Sequence, residues 1–346
     1  MRGRDDDNNF TLLRLFAALL VVYGHSFALA ASCGQCFDVT TRFLGYMYSG
    51  DLGLHIFFVV SGFLVTFSMD RSPNLKRFIY SRALRIYPGL LVFIGIAAFV
   101  VAPWFSTVGL DEYLSSTELP KFLAVNASAT GYYPTLPGLF ADSKYPNAIA
   151  GTLWTLWIEV RLYLIVALIG CLGLLRSRAA ANGSILLLMA LGVLFPTYAL
   201  LLGGNPDNVR LAGYFAAGAL MYVNRNSIPM RLDALLLLIV VAWLSRNRPE
   251  YDLYAGAVIV YASLLFAFAR KIQMPRGLDD YSFGIYLYGW MIQQVLFELM
   301  PGIGPYAMAL WAIPLSILAG AVSWHWVEKP ALSLRHKIPM SPLQTA

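Results

Sequence analysis

A chain of 346 residues that is 58% hydrophobic and 13% charged, with a mean hydropathy of +0.63, carries too little charge for a soluble enzyme or a disordered chain. An ordinary soluble domain is roughly 45–50% apolar and about 25% charged, so this composition reads as a multi-span membrane protein. The net charge of +6 and pI near 9.2 do not point to nucleic acid, because the basic residues sit in short loops between apolar runs.

In chain order, the apolar runs fall at 10–31, 52–69, 86–105, 151–175, 184–203, 209–223, 232–245, 253–269, 281–300 and 305–327. Each is near the roughly 20 helical residues that cross a hydrocarbon core, so the expected fold is all-α, a polytopic bundle of about ten transmembrane helices. The first run holds Arg14 and His25 and is too long for a cleaved signal peptide. Of the 25 Lys and Arg residues, 17 fall in one set of alternate loops and six in the other, with Arg14 and Arg161 inside runs. The positive-inside rule then places both termini in the cytoplasm.

Two outer segments stand out. Residues 106–150 form a long connection rich in Gly, Pro and Tyr, and loops of that length often bind or cover substrates. Residues 31–50 carry Cys33 and Cys36, a CxxC that closes a small disulfide in an oxidising compartment or serves in redox chemistry. The three cysteines of the chain do not make a disulfide scaffold. Residues 328–346 read as a short cytoplasmic tail, and the whole of 1–346 as one transmembrane domain.

Ionisable groups inside apolar runs are costly, so each is a candidate functional residue. They are Arg14, His25, Asp51, His55, Glu159, Arg161 and Glu298, with His325 and Glu328 near the end of the last run. Arg14 and His25 are eleven residues apart, about 20° from three full turns, so both face one way about 16 Å apart along the axis. Histidine is the natural general base near neutral pH, and a structural histidine bonded to a neighbouring helix is the competing reading. Glu159 lies about 12 Å deep and His25 about 9 Å deep from the outer side, so they meet if their helices pack together. A Glu159–Arg ion pair holding two helices is the alternative. Tyr163 shares the Glu159 face at i+4, whereas Arg161 points elsewhere.

Ser61 and Gly62 sit near mid-membrane, where small residues permit close helix packing or bring backbone to a ligand. Arg82 and Arg85, three apart beside Pro88 at the inner mouth of the third helix, form two guanidinium forks suited to phosphates. Topogenic charge or lipid-headgroup contact explains them equally well. There is no GxSxG, HExxH, GxxxxGK[ST] or GxGxxG, and the four histidines are too scattered for a metal site. No metal is therefore expected.

Six blocks carry a resemblance: LRLFAALLVVYGH at 13–25, GLHIFFVVSGFLVT at 53–66, FIYSRALRIYPGL at 78–90, GTLWTLWIEVRLYL at 151–164, YSFGIYLYGWMIQQ at 281–294 and SWHWVEKPAL at 323–332. In this order they resemble the membrane-bound acyltransferase 3 family, whose members O-acylate bacterial envelope glycans and other acceptors. The resemblance implies a multi-pass protein of the bacterial inner membrane, with acyl-CoA, such as acetyl-CoA, as cytoplasmic donor. It implies an acceptor hydroxyl on an envelope or lipid-linked glycan such as lipopolysaccharide at the outer face, with membrane lipids around it. It further implies that His25 is catalytic, with Glu159 in support, and that Arg14, Arg82 and Arg85 bind the donor. Ser61, Tyr163 and Arg161 are the substrate-contacting candidates. Gly289 stands where many members have a histidine in a YLxH block, so that histidine is not required here. No SGNH esterase-like domain follows the last helix, although many members have one. The rival class is a solute or proton-coupled transporter that uses Arg14, His25 and Glu159 as a polar path.

Overall fold

The structure, a computed structural model, describes residues 8–30, 37–195, 205–269 and 279–337. Within the described residues, each of the ten predicted apolar runs lies mainly on helix; 31 and 196–203 fall outside the described residues. The first five helices of the chain are α1 (Phe10–Leu29), α2 (Val39–Leu44), α3 (Ser49–Arg71), α4 (Leu75–Ile96) and α5 (Ala102–Phe105), the last two joined by a π-turn at Ala97–Val101. The long segment 106–150 holds α6 (Leu110–Ser115) and α7 (Glu118–Ser128). A tight 3₁₀ turn, Gly151–Thr155, leads into α8 (Leu156–Cys171), followed by α9 (Arg178–Leu194), α10 (Pro206–Val223), α11 (Leu232–Leu244) and α12 (Tyr251–Ala267). The final helices are α13 (Ser282–Leu299), α14 (Pro305–Ser323) and α15 (Lys329–Ser333), the last two joined through a π-turn at Trp324–Glu328. Among the described residues the only β pairing is two isolated bridges, Ser106 with Leu139 and Thr135 with Ala148.

Among the described residues, five helical stretches are long and apolar enough to cross a membrane: Phe10–Leu29, Ser49–Arg71, Leu75–Phe105, Gly151–Cys171 and Pro305–Ser333. Three further apolar helices are shorter, at Arg178–Leu194, Leu232–Leu244 and Tyr251–Ala267. The third predicted span begins at Leu75 instead of 86. Lys76, Arg77, Arg82 and Arg85 hide the apolar period, while the Asn74 side chain caps the helix by accepting from the Arg77 amide at 3.0 Å. The last helix likewise runs past 327 into what was expected to be tail. Large apolar side chains such as Leu187, Leu237, Trp243, Leu310 and Leu318 are exposed on α9, α11 and α14. Water would make such a surface an aggregation liability; lipid tails make it neutral.

The interior is built on glycines. A Cβ at Gly62 would lie 1.9 Å from the Phe215 carbonyl oxygen, and one at Gly218 2.1 Å from that of Val59, so α3 and α10 touch backbone to backbone. α10 runs parallel to α3, since Asp51 faces Arg210 near one end and Asp70 bonds Tyr222 at the other. α1 runs antiparallel to α3, with Gly24 against Gly50 and Gly53 against Ala17 and Val21. Gly218→Ala is expected to force α10 off α3 and cost about 1–3 kcal/mol, the usual range for overpacking. A melting curve that matches the wild type would show that this contact is not tight.

Residues 106–150 are a packed cap. Leu136, Leu139, Phe140 and Ile149 are fully buried. Asn126 stitches the segment to itself through the Tyr133 amide and carbonyl, at 3.2 and 2.6 Å. α13 then fastens the cap. Trp290 Nε1 donates to the Ala148 carbonyl at 2.8 Å, and Gln294 donates to the Tyr145 and Ala148 carbonyls while accepting from Ser143.

Candidate active site

Two clusters of polar groups lie at different heights along α1. The one nearer the start of α1 centres on Asp280, just before α13. Its Oδ2 accepts from Arg14 at 2.5 Å and from Arg85 at 2.7 Å, and its Oδ1 accepts from the Ser282 hydroxyl at 2.5 Å. Glu328, fully buried, stands 3.8 Å from the other Arg85 nitrogen and accepts from Ser323. Arg82 is not part of this knot. Its guanidinium lies over the rings of Phe78 and Tyr163, at 5.7 and 5.6 Å, and its buried Nε has no hydrogen-bond partner. The two forks expected to act as a pair are therefore split: Arg85 is held by carboxylates, and Arg82 is left unpaired among the described residues.

Burial alone raises the Asp280 pKa, but the guanidinium groups of Arg14 and Arg85, with the Ser282 hydrogen bonds, outweigh it and hold it at about 2. A carboxylate whose pKa is lower in the folded chain stabilises the fold fully above its unfolded value, near 4, and loses that contribution as pH falls toward 2. The contribution corresponds to about 2 kcal/mol. The wild-type melting temperature is expected to drop between about pH 4 and 2, and to drop less over that window in Asp280→Asn. Parallel curves for the two proteins would show that Asp280 titrates normally.

A cavity opens beside this knot, lined by Arg14, Phe57, Ser61, Thr155, Glu159 and Tyr286 among others. Glu159 accepts from the Ser61 hydroxyl at 3.0 Å and makes a short hydrogen bond with Tyr163, one turn further on. Gly62 packs closely on α10, as the packing reading of the Ser61–Gly62 pair expects, while the Ser61 hydroxyl turns to the Glu159 carboxylate. The far end of the cavity closes where Thr155 and the Tyr286 hydroxyl meet at 2.5 Å and Tyr286 donates to the Thr152 carbonyl at 2.7 Å.

The second cluster, nearer the end of α1, centres on His25. Its ring is buried, its Nδ1 has no partner, and it packs edge-on against Trp290 at 5.0 Å, with Tyr48 at 6.5 Å. Tyr145, from the cap, packs on the other side of Trp290 at 5.3 Å. Gln293, one turn beyond Trp290, donates to Val22 O and Ser26 Oγ, both at 2.7 Å, and leaves its Oε1 buried and unpartnered. A His25–Glu159 pair is not made. The α1–α3 contacts set Gly50 beside Gly24, so Ser61, eleven residues on, is level with Arg14 and about 16 Å below His25. Glu159 follows Ser61. The depth count failed because Gly151 already sits at the His25 level, against the Trp290 ring. The 3₁₀ turn that follows, at about 2 Å per residue, carries Glu159 deeper than an α-helix would.

Arg161 faces away from the cavity; it donates to the Thr130 carbonyl at 3.1 Å and lies 4.3 Å over Trp157. Asp280, Gln293 and Trp290 were missed in the sequence. The one signal for Asp280 was an acidic doublet, Asp279 and Asp280, abutting an apolar run. Gly289, at the expected YLxH histidine, has no room for a side chain, since a Cβ there would lie 2.7 Å from Val22. Cys33 and Cys36 lie outside the described residues. Among the described residues no three His, Cys, Asp or Glu gather as for a metal.

A family model described as an acyltransferase domain matches residues 7–326. The chain is 29% identical to nodulation protein 10 of Rhizobium leguminosarum bv. viciae, over 98% of this chain and 97% of that protein. It is 26% identical to an O-acetyl transferase of Shigella phage Sf6, over 94% and 96% of the two. It is also 26% identical to a putative acetyltransferase of Acidianus two-tailed virus, over 84% of each. No solved structure matches. With the family model covering nearly the whole chain, its apolar helices and this pair of buried polar clusters are those of a membrane enzyme that transfers acyl groups, and the chain belongs to the acyltransferase 3 family.

Proposed function

We propose that this enzyme moves an acetyl group from acetyl-CoA, at the cytoplasmic face of a bacterial inner membrane, to a hydroxyl of an envelope or lipid-linked glycan at the outer face. The observation that carries the reading is the separation of the two clusters along one helix. Guanidinium groups gather at one end of α1, and an unpartnered histidine sits about 16 Å further along. Ten membrane spans with both termini in the cytoplasm put the arginines inside and His25 outside. The basic asymmetry of the loops supports this orientation, as do the opposed directions of α1 and α3.

In this reading Arg82, unpaired and stacked on Tyr163, takes a donor phosphate, and Arg14 and Arg85 complete the cationic mouth. The donor arm lies in the cavity beside Ser61, Glu159 and Tyr163. The acceptor O–H loses its proton to the His25 imidazole as its oxygen attacks the thioester carbonyl. The C–S bond breaks, and the thiolate leaves and takes up a proton to give free coenzyme A. An acyl-imidazole on His25, attacked in turn by the hydroxyl, gives the same balance. Trp290 packs edge-on against the imidazole from the α13 side. Arg161, facing the cap, contributes to substrate binding only from outside.

Mass spectrometry of envelope glycans from cells with and without the chain tests this. A glycan acetyl mass that depends on the chain and disappears in His25→Ala supports the enzyme. Unchanged glycans with altered solute uptake support a transporter.

A further inference from the structure

The loop 141–146 of the cap is held in one shape from both ends and from beneath. It is bracketed by two residues with left-handed backbone, Phe140 at φ +50° and Asn147 at φ +62°. Asparagine tolerates that region; a bulky phenylalanine stays there only when its surroundings hold it. Phe140 is fully buried. The Asn147 amide donates to the Leu139 carbonyl at 2.7 Å, and its side-chain oxygen accepts from the Leu139 amide at 3.0 Å. Gln294 and Trp290 of α13 fasten Ser143 and the carbonyls of Tyr145 and Ala148. A loop fixed in this way needs little further ordering when a ligand arrives, which favours binding.

What the loop presents is an aromatic ring next to the histidine. Tyr145 is 40% exposed and packs on Trp290 at 5.3 Å, and Trp290 packs on His25 at 5.0 Å. Asp142 and Lys144, on the same loop, are exposed. A second ring stands close by. Tyr132 is 39% exposed, and its hydroxyl donates to the Gly151 carbonyl at 3.2 Å. Gly151 backs onto the Trp290 ring, where a Cβ would lie 2.3 Å away. His25 keeps 7% of its own surface open, and Nδ1 is the ring nitrogen that is sealed without a partner. Tyrosines near a membrane surface also serve as anchors in the headgroup layer. An anchor needs neither a strained, strapped loop nor exposed charges beside the ring, and it has no reason to rest on the packing partner of the histidine. A flat ring with a carboxylate and an ammonium group beside it suits a sugar: the C–H face of the sugar lies on the ring, and its hydroxyls bond to the polar neighbours.

We propose that Tyr145 and Tyr132, with Asp142 and Lys144, form the platform on which a sugar ring of the acceptor lies while its hydroxyl, or that of the adjoining sugar, reaches His25. The inference rests on the O-acyltransfer reading and adds where the acceptor is held.

The test uses the full chain purified in detergent, labelled acetyl-CoA, and a detergent extract of host envelope glycan as acceptor. The half-saturating concentrations of extract and of acetyl-CoA are measured separately. Tyr145→Ala and Tyr132→Ala are each expected to raise the value for extract about fivefold or more, as is the double variant Asp142→Ala with Lys144→Ala. Tyr145→Phe keeps the ring face and is expected to stay within about twofold of the wild type. The value for acetyl-CoA is expected to stay within about twofold in every variant, since the arginine cluster is left intact. Tyr145→Ala also frees Trp290, so Tyr132→Ala, which removes a ring bonded to Gly151, decides the matter if Tyr145→Ala loses all turnover. Unmoved extract values in the alanine variants overturn the platform and leave the two rings as membrane anchors. Extract and acetyl-CoA values that rise together also overturn it and leave a structural role for the loop. A wild type that binds acetyl-CoA and labels no glycan overturns the O-acyltransfer reading itself, and this inference with it.

Discussion

His25→Ala is expected to abolish acyl transfer while leaving the melting temperature close to that of the wild type. A positioned general base contributes about 10²–10⁴-fold, and an acyl carrier contributes the whole of a covalent route. The structural loss is small. His25 Nδ1 has no partner to strand, and the main contact given up is the edge-on packing against Trp290, worth about 0.5–1.5 kcal/mol. Glu159→Gln makes the informative comparison. Because Glu159 lies about 16 Å from the His25 level, it does not orient the imidazole. Its two bonds, from Ser61 and Tyr163, join α3 to α8 and hold Tyr163 under Arg82. The expected result is a fall in stability at least as large as the fall in activity, with the pH profile of transfer unmoved. Full activity in His25→Ala would end the proposed chemistry outright. A shifted pH profile in Glu159→Gln would reinstate the link between the two residues.

The helices were legible because a chain in lipid must satisfy every backbone group within its own segment, which leaves long apolar runs as an unmistakable record. Ends were legible only where polarity changed abruptly. α4 begins eleven residues before its apolar run because its first three turns alternate arginines with buried groups such as Phe78. The site was partly legible. Arg14, His25 and Glu159 were visible as charges out of place, and the helical period correctly set Tyr163 beside Glu159. What connects the clusters was not visible. Asp280 meets Arg14 across 266 residues, and no spacing rule reaches that far. The height of Glu159 depended on five residues coiling as a 3₁₀ turn, and on Gly24 meeting Gly50. Both are tertiary facts. His55 was flagged only as costly; its missing partners appear once Tyr214 covers it.

The second large effect concerns Asp280. Asp280→Ala is expected to destabilise the chain by about 3–5 kcal/mol, the cost of stripping one partner from a buried ion pair. Here one carboxylate serves two guanidinium groups, both largely buried. Glu328, 3.8 Å from Arg85, still pairs with that guanidinium, and Arg14 is left without its carboxylate. Arg82→Ala is expected to behave in the opposite way. Its guanidinium breaks no ion pair on removal and gives up contacts with two rings, so stability changes little while the half-saturating acetyl-CoA concentration rises by an order of magnitude or more, about 1.5–3 kcal/mol for a charge-assisted phosphate contact. Arg85→Lys separates the two roles within one residue. A lysine keeps the charge beside Asp280 but cannot span Asp280 and Glu328 with a planar fork. Its stability is expected to fall between wild type and Asp280→Ala, with donor affinity reduced less than in Arg82→Ala. If Arg82→Ala binds acetyl-CoA normally and Arg85→Lys does not, the donor sits on the Asp280 side of the mouth, and its phosphate must displace that carboxylate in order to bind.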